Sequence, residues 1–71
     1  MKNTKEVKQI IEMIEREEAI SSRLSEQFKN AWLQEKDKQK SDANYRLYKT
    51  FESSANTLNL IINDIKKEVS K

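Results

Sequence analysis

Residues 48–69, with the sequence YKTFESSANTLNLIINDIKKEV, contain the pattern that decides the fold. The apolar residues of this stretch recur at steps that alternate between three and four: they are Tyr48, Phe51, Ala55, Leu58, Ile62, Ile65 and Val69. This heptad spacing predicts one apolar stripe along an α-helix about 30 Å long. Because an isolated helix would leave that stripe in water, the spacing also predicts that the helix packs against a partner.

A second series with the same spacing runs through the first half of the chain. Its positions are Val7, Ile10, Ile14, Glu17, Ser21, Leu24, Phe28 and Ala31. The two ends of the series are apolar, whereas Glu17 and Ser21 interrupt its middle. The series predicts a second amphipathic helix, with a core that is thin halfway along its length.

The run between the two series, QEKDKQKSD at residues 34–42, has no apolar residue. The two series are out of phase by one residue, which would rotate the stripe by about 100° on one unbroken helix. A turn removes this conflict. The sequence therefore predicts a helix over about residues 4–35, a loop over about 36–41 and a helix over about 42–70, with Ser41 or Asp42 as the N-cap of the second helix.

Folding the chain back at this loop aligns the two series without adjustment. Residues whose numbers add up to 79 face each other, so that Phe28 meets Phe51 and Ser21 meets Leu58. The predicted fold is all-α: a two-helix antiparallel hairpin, forming a single domain, which dimerises into a four-helix bundle. Two alternatives remain open, namely an extended helix in a coiled-coil dimer and a three-helix form broken near Ser21 and Ser22.

The composition limits the chemistry that the chain can perform. The chain has 71 residues and contains no Cys, His, Gly or Pro. Without His and Cys, the commonest proton-transfer group, the thiol nucleophile and the usual zinc ligands are missing, and the hydroxyls of Ser21, Ser22, Ser53 and Ser54 have no obvious base except Lys or Glu. Without Gly there is no phosphate-binding loop. We therefore expect a protein that is not an enzyme and that has no catalytic residues, no metal site and no cofactor.

A chain of this length needs support beyond its own core. Without disulfides, a metal or oligomerisation, such a core rarely stabilises a fold by more than about 3–5 kcal/mol. Residues 53–63, SSANTLNLIIN, carry no charge, and a helix that exposed them would present an unusual apolar patch. We predict a homodimer whose interface residues are Leu58, Leu60, Ile61, Ile62 and Ile65.

Aromatic and basic residues concentrate near the predicted turn. The aromatic residues are Phe28, Trp32, Tyr45, Tyr48 and Phe51, and residues 29–49 carry six basic and three acidic side chains. Such a surface can bind nucleic acid or an acidic protein, although lysines near a helix C terminus also complement its dipole. We expect Trp32 to pack at this tip. The candidate partner-binding residues are Trp32, Tyr45, Lys36, Lys38, Lys40, Arg46 and Lys49.

The charges of the chain are nearly balanced, with 14 basic and 12 acidic residues. We expect a small helical interaction protein that binds and regulates or inhibits another macromolecule, in the first place a protein. The alternative is an accessory protein that binds DNA or RNA through the tip. No run of about 18 apolar residues predicts a membrane span and no signal peptide is recognisable, so we expect a cytoplasmic location. The Lys-, Asn-, Ile- and Glu-rich composition is typical of an AT-rich bacterium or its phage.

Overall fold

The computed structural model describes residues 4–70 and contains two α-helices. The first, α1, is Thr4–Gln34, and the second, α2, is Lys38–Val69. The helices pack against each other in opposite directions, and the described residues contain no strand. The predicted all-α helical hairpin is confirmed.

The connection between the helices is residues 35–37, which is shorter than the loop predicted for residues 36–41. It reverses the chain without any residue of positive φ among residues 4–70, so the turn does not require Gly. The Glu35 carboxylate accepts a hydrogen bond of 3.0 Å from the backbone N–H of Asp37 and closes the turn. The polarity of residues 34–42 therefore reflects exposure to solvent, and most of this run is helical.

The N-cap of α2 is Asp37, and not Ser41 or Asp42 as predicted. Its carboxylate accepts hydrogen bonds from the backbone N–H groups of Gln39, at 2.9 Å, and Lys40, at 3.2 Å. These groups belong to the first turn, where a helix leaves backbone donors without an intrahelical acceptor. The cap therefore allows α2 to begin one turn earlier than the apolar spacing indicates.

The side of α2 that faces α1 is the stripe predicted from its heptad spacing. Ala55 and Ile62 are buried, with 7% and 4% of their surface exposed. Val69, the last predicted position, is largely exposed near the end of the helix. The remaining predicted positions are partly buried, and they are Tyr48, Phe51, Leu58 and Ile65.

The stripe of α1 that faces α2 differs from the predicted one at alternate positions. Its less exposed residues are Val7, Ile11, Ile14, Glu18, Ser21, Leu24, Ser25, Phe28 and Trp32, so the predicted position of Leu24 is retained. Ile10, Glu17 and Ala31 were predicted to lie in this stripe and are exposed instead. The prediction was wrong at these positions because the predicted and the observed series have the same spacing and share every other residue, namely Val7, Ile14, Ser21 and Phe28. Burying Trp32 in place of Ala31 removes more apolar surface from water, which favours the observed series.

The predicted register between the helices is confirmed at its aromatic level. The rings of Phe28 and Phe51 are stacked, with centroids 5.8 Å apart and planes inclined by 7°. Further along the hairpin, Ser21 and Leu58 line the same groove. Residues whose numbers add up to about 79 therefore lie at similar heights along the hairpin.

Close approach of the helices depends on small residues. Ser25 is a buried polar residue of α1, and its hydroxyl donates a hydrogen bond of 3.3 Å to the backbone carbonyl oxygen of Tyr48 on α2. The bond compensates for removing the hydroxyl from water, so this small polar residue is tolerated between the helices.

Candidate functional site

Three aromatic side chains close the end of the hairpin next to the connection. The ring centroid of Trp32 lies 4.9 Å from that of Tyr45 and 6.0 Å from that of Tyr48, and the two tyrosine rings are 6.1 Å apart. These tilted, stacked and edge-on arrangements are the ones that aromatic pairs prefer. Trp32 and Tyr48 are partly buried, whereas Tyr45 is exposed. Trp32 thus packs at the tip, as expected, and its ring contacts are within the hairpin.

The basic residues predicted for partner binding lie in two environments. Lys36, Lys38, Lys40 and Arg46 are exposed on the connection and on the first turns of α2, next to the aromatic cluster. Lys49, by contrast, makes contacts within the chain. The structure therefore brings four exposed cations together at the tip, and their use in binding stays a prediction.

The contacts of Lys49 form a small network with two neighbours on α2. Its ammonium nitrogen lies 2.9 Å from Glu52 Oε1 and 5.2 Å from the centroid of the Tyr48 ring. The Tyr48 hydroxyl donates a hydrogen bond of 3.2 Å to Glu52 Oε2. The hydrogen bond and the charge of Glu52 raise the pKa of Lys49, and the hydrogen bonds from Lys49 and Tyr48 lower the pKa of Glu52. Because the side chains of Lys49 and Glu52 are 48% and 40% exposed, their ion pair adds little to stability.

One long face of the hairpin is lined with charges. Glu15 of α1 and Lys66 of α2 form an ion pair of 3.5 Å between the helices. Further along, the positive charge of Lys29 on α1 contributes to the lowered pKa of Glu52 on α2, so these two also lie on one side. We define this charged face by Glu15, Lys29, Lys49, Glu52 and Lys66.

The opposite long face carries few charges over its central part, whereas Asp64 and Glu68 lie at its end near the chain termini. Residues five positions apart on an α-helix point about 140° away from each other, so Ile20 lies away from Glu15, and Ile61 lies away from Lys66. Two stripes of residues form the central part of this side, one on α1 from Ile10 to Ala31 and one on α2 from Ala43 to Ile61. Glu17 is the one charged residue in these two stripes. We define the apolar face by Ile10, Met13, Glu17, Ile20, Leu24, Gln27 and Ala31 of α1 and by Ala43, Leu47, Thr50, Ser54, Thr57 and Ile61 of α2.

Large side chains on the apolar face are exposed to solvent. The exposed fraction is 49% for Ile10, 61% for Met13, 43% for Ile20, and 40% for both Leu47 and Ile61. Scattered exposed hydrophobic residues are normal on a protein surface, whereas a contiguous patch indicates an interaction site. The alignment of these side chains on one face therefore makes this face a candidate interaction surface.

Two open grooves lie along the same side of the hairpin. The groove near the middle is lined by Ser21, Ser53, Ser54, Thr57 and Leu58. The other lies towards the chain termini and is lined by Val7, Asp64, Ile65, Glu68 and Val69. The middle groove exists because short side chains occupy positions where large ones would fill the space between the helices.

The predicted dimer-interface residues are divided between the two sides of α2. Ile62 is buried between the helices, and Leu58 and Ile65 are partly buried there. Ile61 lies on the apolar face, and Leu60 is 65% exposed beside it. The contacts within the hairpin thus already use three of the five residues.

Sequence reasoning did not assign Ile10, Met13, Ile20 and Leu47 to an interaction surface. For the three residues of α1, the signal is a further series of alternating three- and four-residue steps that starts at Ile10 and runs to Ala31. Because this series shares alternate positions, such as Ile10 and Glu17, with the series that was predicted to contact α2, the outer face can be recognised only when the rotation of α1 is known.

Within residues 4–70, no group of three carboxylates is arranged to hold a metal ion. Over the same residues, neither helix combines the length and the apolar character that a membrane span requires. No protein family, curated protein or solved structure matches the chain. The apolar face and the tip are therefore the features from which a function can be inferred.

Proposed function

We propose that this chain is a small non-enzymatic interaction protein, which pairs with a second copy as a four-helix bundle and binds and regulates another macromolecule, in the first place a protein. The hairpin supplies rigid helical surfaces, and the exposed apolar face and the tip supply two separate places for contact.

The observation that carries the proposal is the area that the hairpin leaves exposed. The chain exposes 5798 Å² of surface, whereas a compact folded protein of 8.4 kDa exposes about 4,600 Å². A protein interface of standard size removes about 800 Å² from each partner. The excess of about 1,200 Å² is therefore large enough to form one substantial interface.

The shape of the hairpin also supports an interaction protein over an enzyme. Its extents are 56 × 15 × 12 Å, and its radius of gyration of 16.1 Å exceeds the value of about 11 Å for a compact chain of this length. Ligand sites usually bury most of a small molecule in a concave cavity. Both grooves on the apolar side are open, so they suit an incoming side chain better than a substrate.

Binding of nucleic acid through the tip is the second candidate function. The exposed Lys36, Lys38, Lys40 and Arg46 favour it, because they can neutralise phosphates. The aromatic cluster favours it less, because the rings of Trp32, Tyr45 and Tyr48 contact one another, whereas stacking with bases needs free ring faces. A protein partner is therefore the first choice.

A capture experiment at two salt concentrations tests the proposal. The tagged protein and a variant carrying Lys38→Glu and Arg46→Glu are incubated with extract of the source cells at about 50 and about 200 mM salt, and bound proteins and nucleic acids are identified. We expect one protein to be retained at both salt concentrations. Retention of nucleic acid alone, which is lost at the higher salt and in the variant, would instead establish the second candidate.

Self-association is tested separately with purified protein. Because assembly stabilises the folded state by mass action, the melting temperature should rise with protein concentration. Sedimentation equilibrium should give the mass of a dimer at micromolar concentration. A monomer mass throughout the accessible range would contradict pairing while leaving binding of another protein to be judged by the capture experiment.

A further inference from the structure

The two halves of the apolar face differ in the size of their side chains. The α1 half presents large side chains, among them Ile10, Met13, Ile20 and Leu24. The α2 half presents mainly short ones over its central part, where residues 50, 54 and 57 are Thr, Ser and Thr and where the middle groove opens. The face thus consists of a raised stripe beside a lower one.

We infer that a second copy of the chain docks on the apolar face, with the α1 stripe of each hairpin seated on the α2 stripe of the other. The inference rests on the proposed self-association and adds the surface and the arrangement to it. The two copies are related by a two-fold axis parallel to the long axis of the hairpins. Both tips then lie at the same end of the four-helix bundle.

The self-complementary shape of the face supports a second copy as the occupant. A two-fold interface uses the same patch on both chains, so the patch must fit itself after rotation. Rotation about the long axis preserves height, and residues with numbers adding up to about 79 share a height, as Phe28 and Phe51 do. Leu24 of one chain then approaches Ser54 of the other, and Ile20 approaches Thr57. Large side chains thereby enter the groove that short ones leave.

The other face-to-face arrangement fits the same surface less well. A two-fold axis across the hairpins would place α1 against α1 and α2 against α2. Large side chains would then oppose large ones, while the two middle grooves would oppose each other and stay empty, which forfeits packing contacts. The long-axis arrangement avoids both defects, and it leaves the Glu15–Lys66 ion pair of the charged face in solvent.

The exposed area agrees with this occupant. An interface that buried this excess of about 1,200 Å² on each chain would remove about 2,400 Å² over two chains, within the range of obligate homodimers. Such interfaces are also more apolar than transient ones. A face with one charged residue, Glu17, in its two stripes meets this requirement.

Matched pairs of exposed hydrophobic residues test the assignment of the face. Ile20→Glu and Ile61→Glu place charges on the apolar face, whereas Leu33→Glu and Leu60→Glu change residues that are 63% and 65% exposed outside it. By sedimentation over about 5–200 µM, we expect the first two variants to weaken the dimer by about 30-fold or more, because an unpaired charge would be buried. The last two should stay within about threefold of the unsubstituted protein. Equal effects of both pairs, or a larger effect of the Leu variants, would overturn the assignment.

Thiol labelling covers the case in which the Glu variants fail to fold. The chain contains no Cys, so single substitutions provide unique labels. In the folded dimer, Ile20→Cys should react about tenfold or more slowly than Leu33→Cys, and dilution below the dissociation constant should remove the difference. Fast labelling at position 20 in a folded dimer would refute the proposed face.

A distance measurement tests the arrangement. A spin label at Lys38→Cys reports the separation of the two tips. Neighbouring helices lie about 8–10 Å apart, so a dimer with both tips at one end should give a distance of roughly 20–30 Å including the label arms. The opposite arrangement should give a distance close to the 56 Å length of the hairpin, and that result would overturn the long-axis two-fold.

The basic tips provide an independent readout of the same arrangement. Residues 29–49 carry six basic and three acidic side chains in each chain. Bringing two such tips together creates repulsion that salt screens, so raising the salt from about 50 to about 300 mM should tighten the dimer. A dimer that weakens under this change would contradict the shared end. A folded protein that is monomeric throughout would refute self-association itself, and this outcome is distinct from a dimer that uses another face.

Discussion

Replacing Trp32 by Ala tests whether the aromatic tip is part of the folded core. Trp32 is partly buried, and its ring contacts those of Tyr45 and Tyr48 at centroid distances of 4.9 and 6.0 Å. Each aromatic pair contributes about 0.5–1.5 kcal/mol beyond the area that it buries, and complete burial would give a total loss of about 3–5 kcal/mol. For a partly buried ring we expect Trp32→Ala to lower the free energy of unfolding by about 2–3 kcal/mol.

The loss is large for a protein of this size. A core of about 70 residues rarely contributes more than about 3–5 kcal/mol, and each kcal/mol shifts the melting temperature of such a domain by about 4–8 °C. Thermal unfolding followed by circular dichroism at one fixed protein concentration should therefore show a decrease of about 10–20 °C. Leu33→Ala is the matched control. Leu33 is the next residue in α1 and is 63% exposed, so its replacement should change stability by less than about 0.5 kcal/mol.

Fluorescence of Trp32, the one Trp in the chain, gives a second measurement on the unsubstituted protein. Packing against two tyrosine rings should produce blue-shifted emission that is partly protected from iodide before any partner is added. A Trp32→Ala variant that melts like the Leu33→Ala control, together with red-shifted and readily quenched emission, would refute packing of Trp32 in the folded core. Emission that becomes blue-shifted only when a partner binds would make Trp32 a binding anchor instead.

Three further predictions concern the cap, the apolar face and the exposed ionic network. Asp37→Ala should lower the free energy of unfolding by about 1 kcal/mol in denaturant titrations, whereas Asp42→Ala should change it little. A larger loss of stability for Asp42→Ala than for Asp37→Ala would contradict the assignment of Asp37 as the N-cap of α2. Glu17→Leu should tighten the dimer by about tenfold or more in sedimentation, because a Leu side chain would be buried at the interface, whereas Glu12→Leu outside the apolar face should not. Because the pKa of Glu52 is lowered from its ordinary value of 4.5, its contribution is present above that pH and is lost as the pH falls through the lowered value. Stability of Glu52→Gln should therefore depend less on pH in this acidic window, and an unchanged pH profile would argue against the contact with Lys49.

The register of the hairpin could be predicted because it depends on the spacing of apolar residues in the two halves of the chain, which can be read from the sequence. Two apolar series of matching length, joined by a polar run, can both be buried only if the chain turns back. The stacked pair Phe28 and Phe51 lies where this reasoning places it. The boundary of α2 could not be predicted as well, because the capping bonds of Asp37 depend on local geometry, while the apolar spacing only indicates where packing begins.

The sequence by itself determined that this protein consists of two helices paired in an antiparallel hairpin, and it determined which side of α2 is covered. It could not determine the rotation of α1, because Ile10 and Ile11 begin two equally regular series that share their alternate positions. Only the tertiary structure decided this, since the contacts of Trp32 with Tyr45 and Tyr48 and the small Ser25 favour one rotation of α1 against α2. That rotation turns Ile10 and Ile20 to the outside, and it thereby creates the apolar face from residues that spacing alone assigned to the interior or left unassigned.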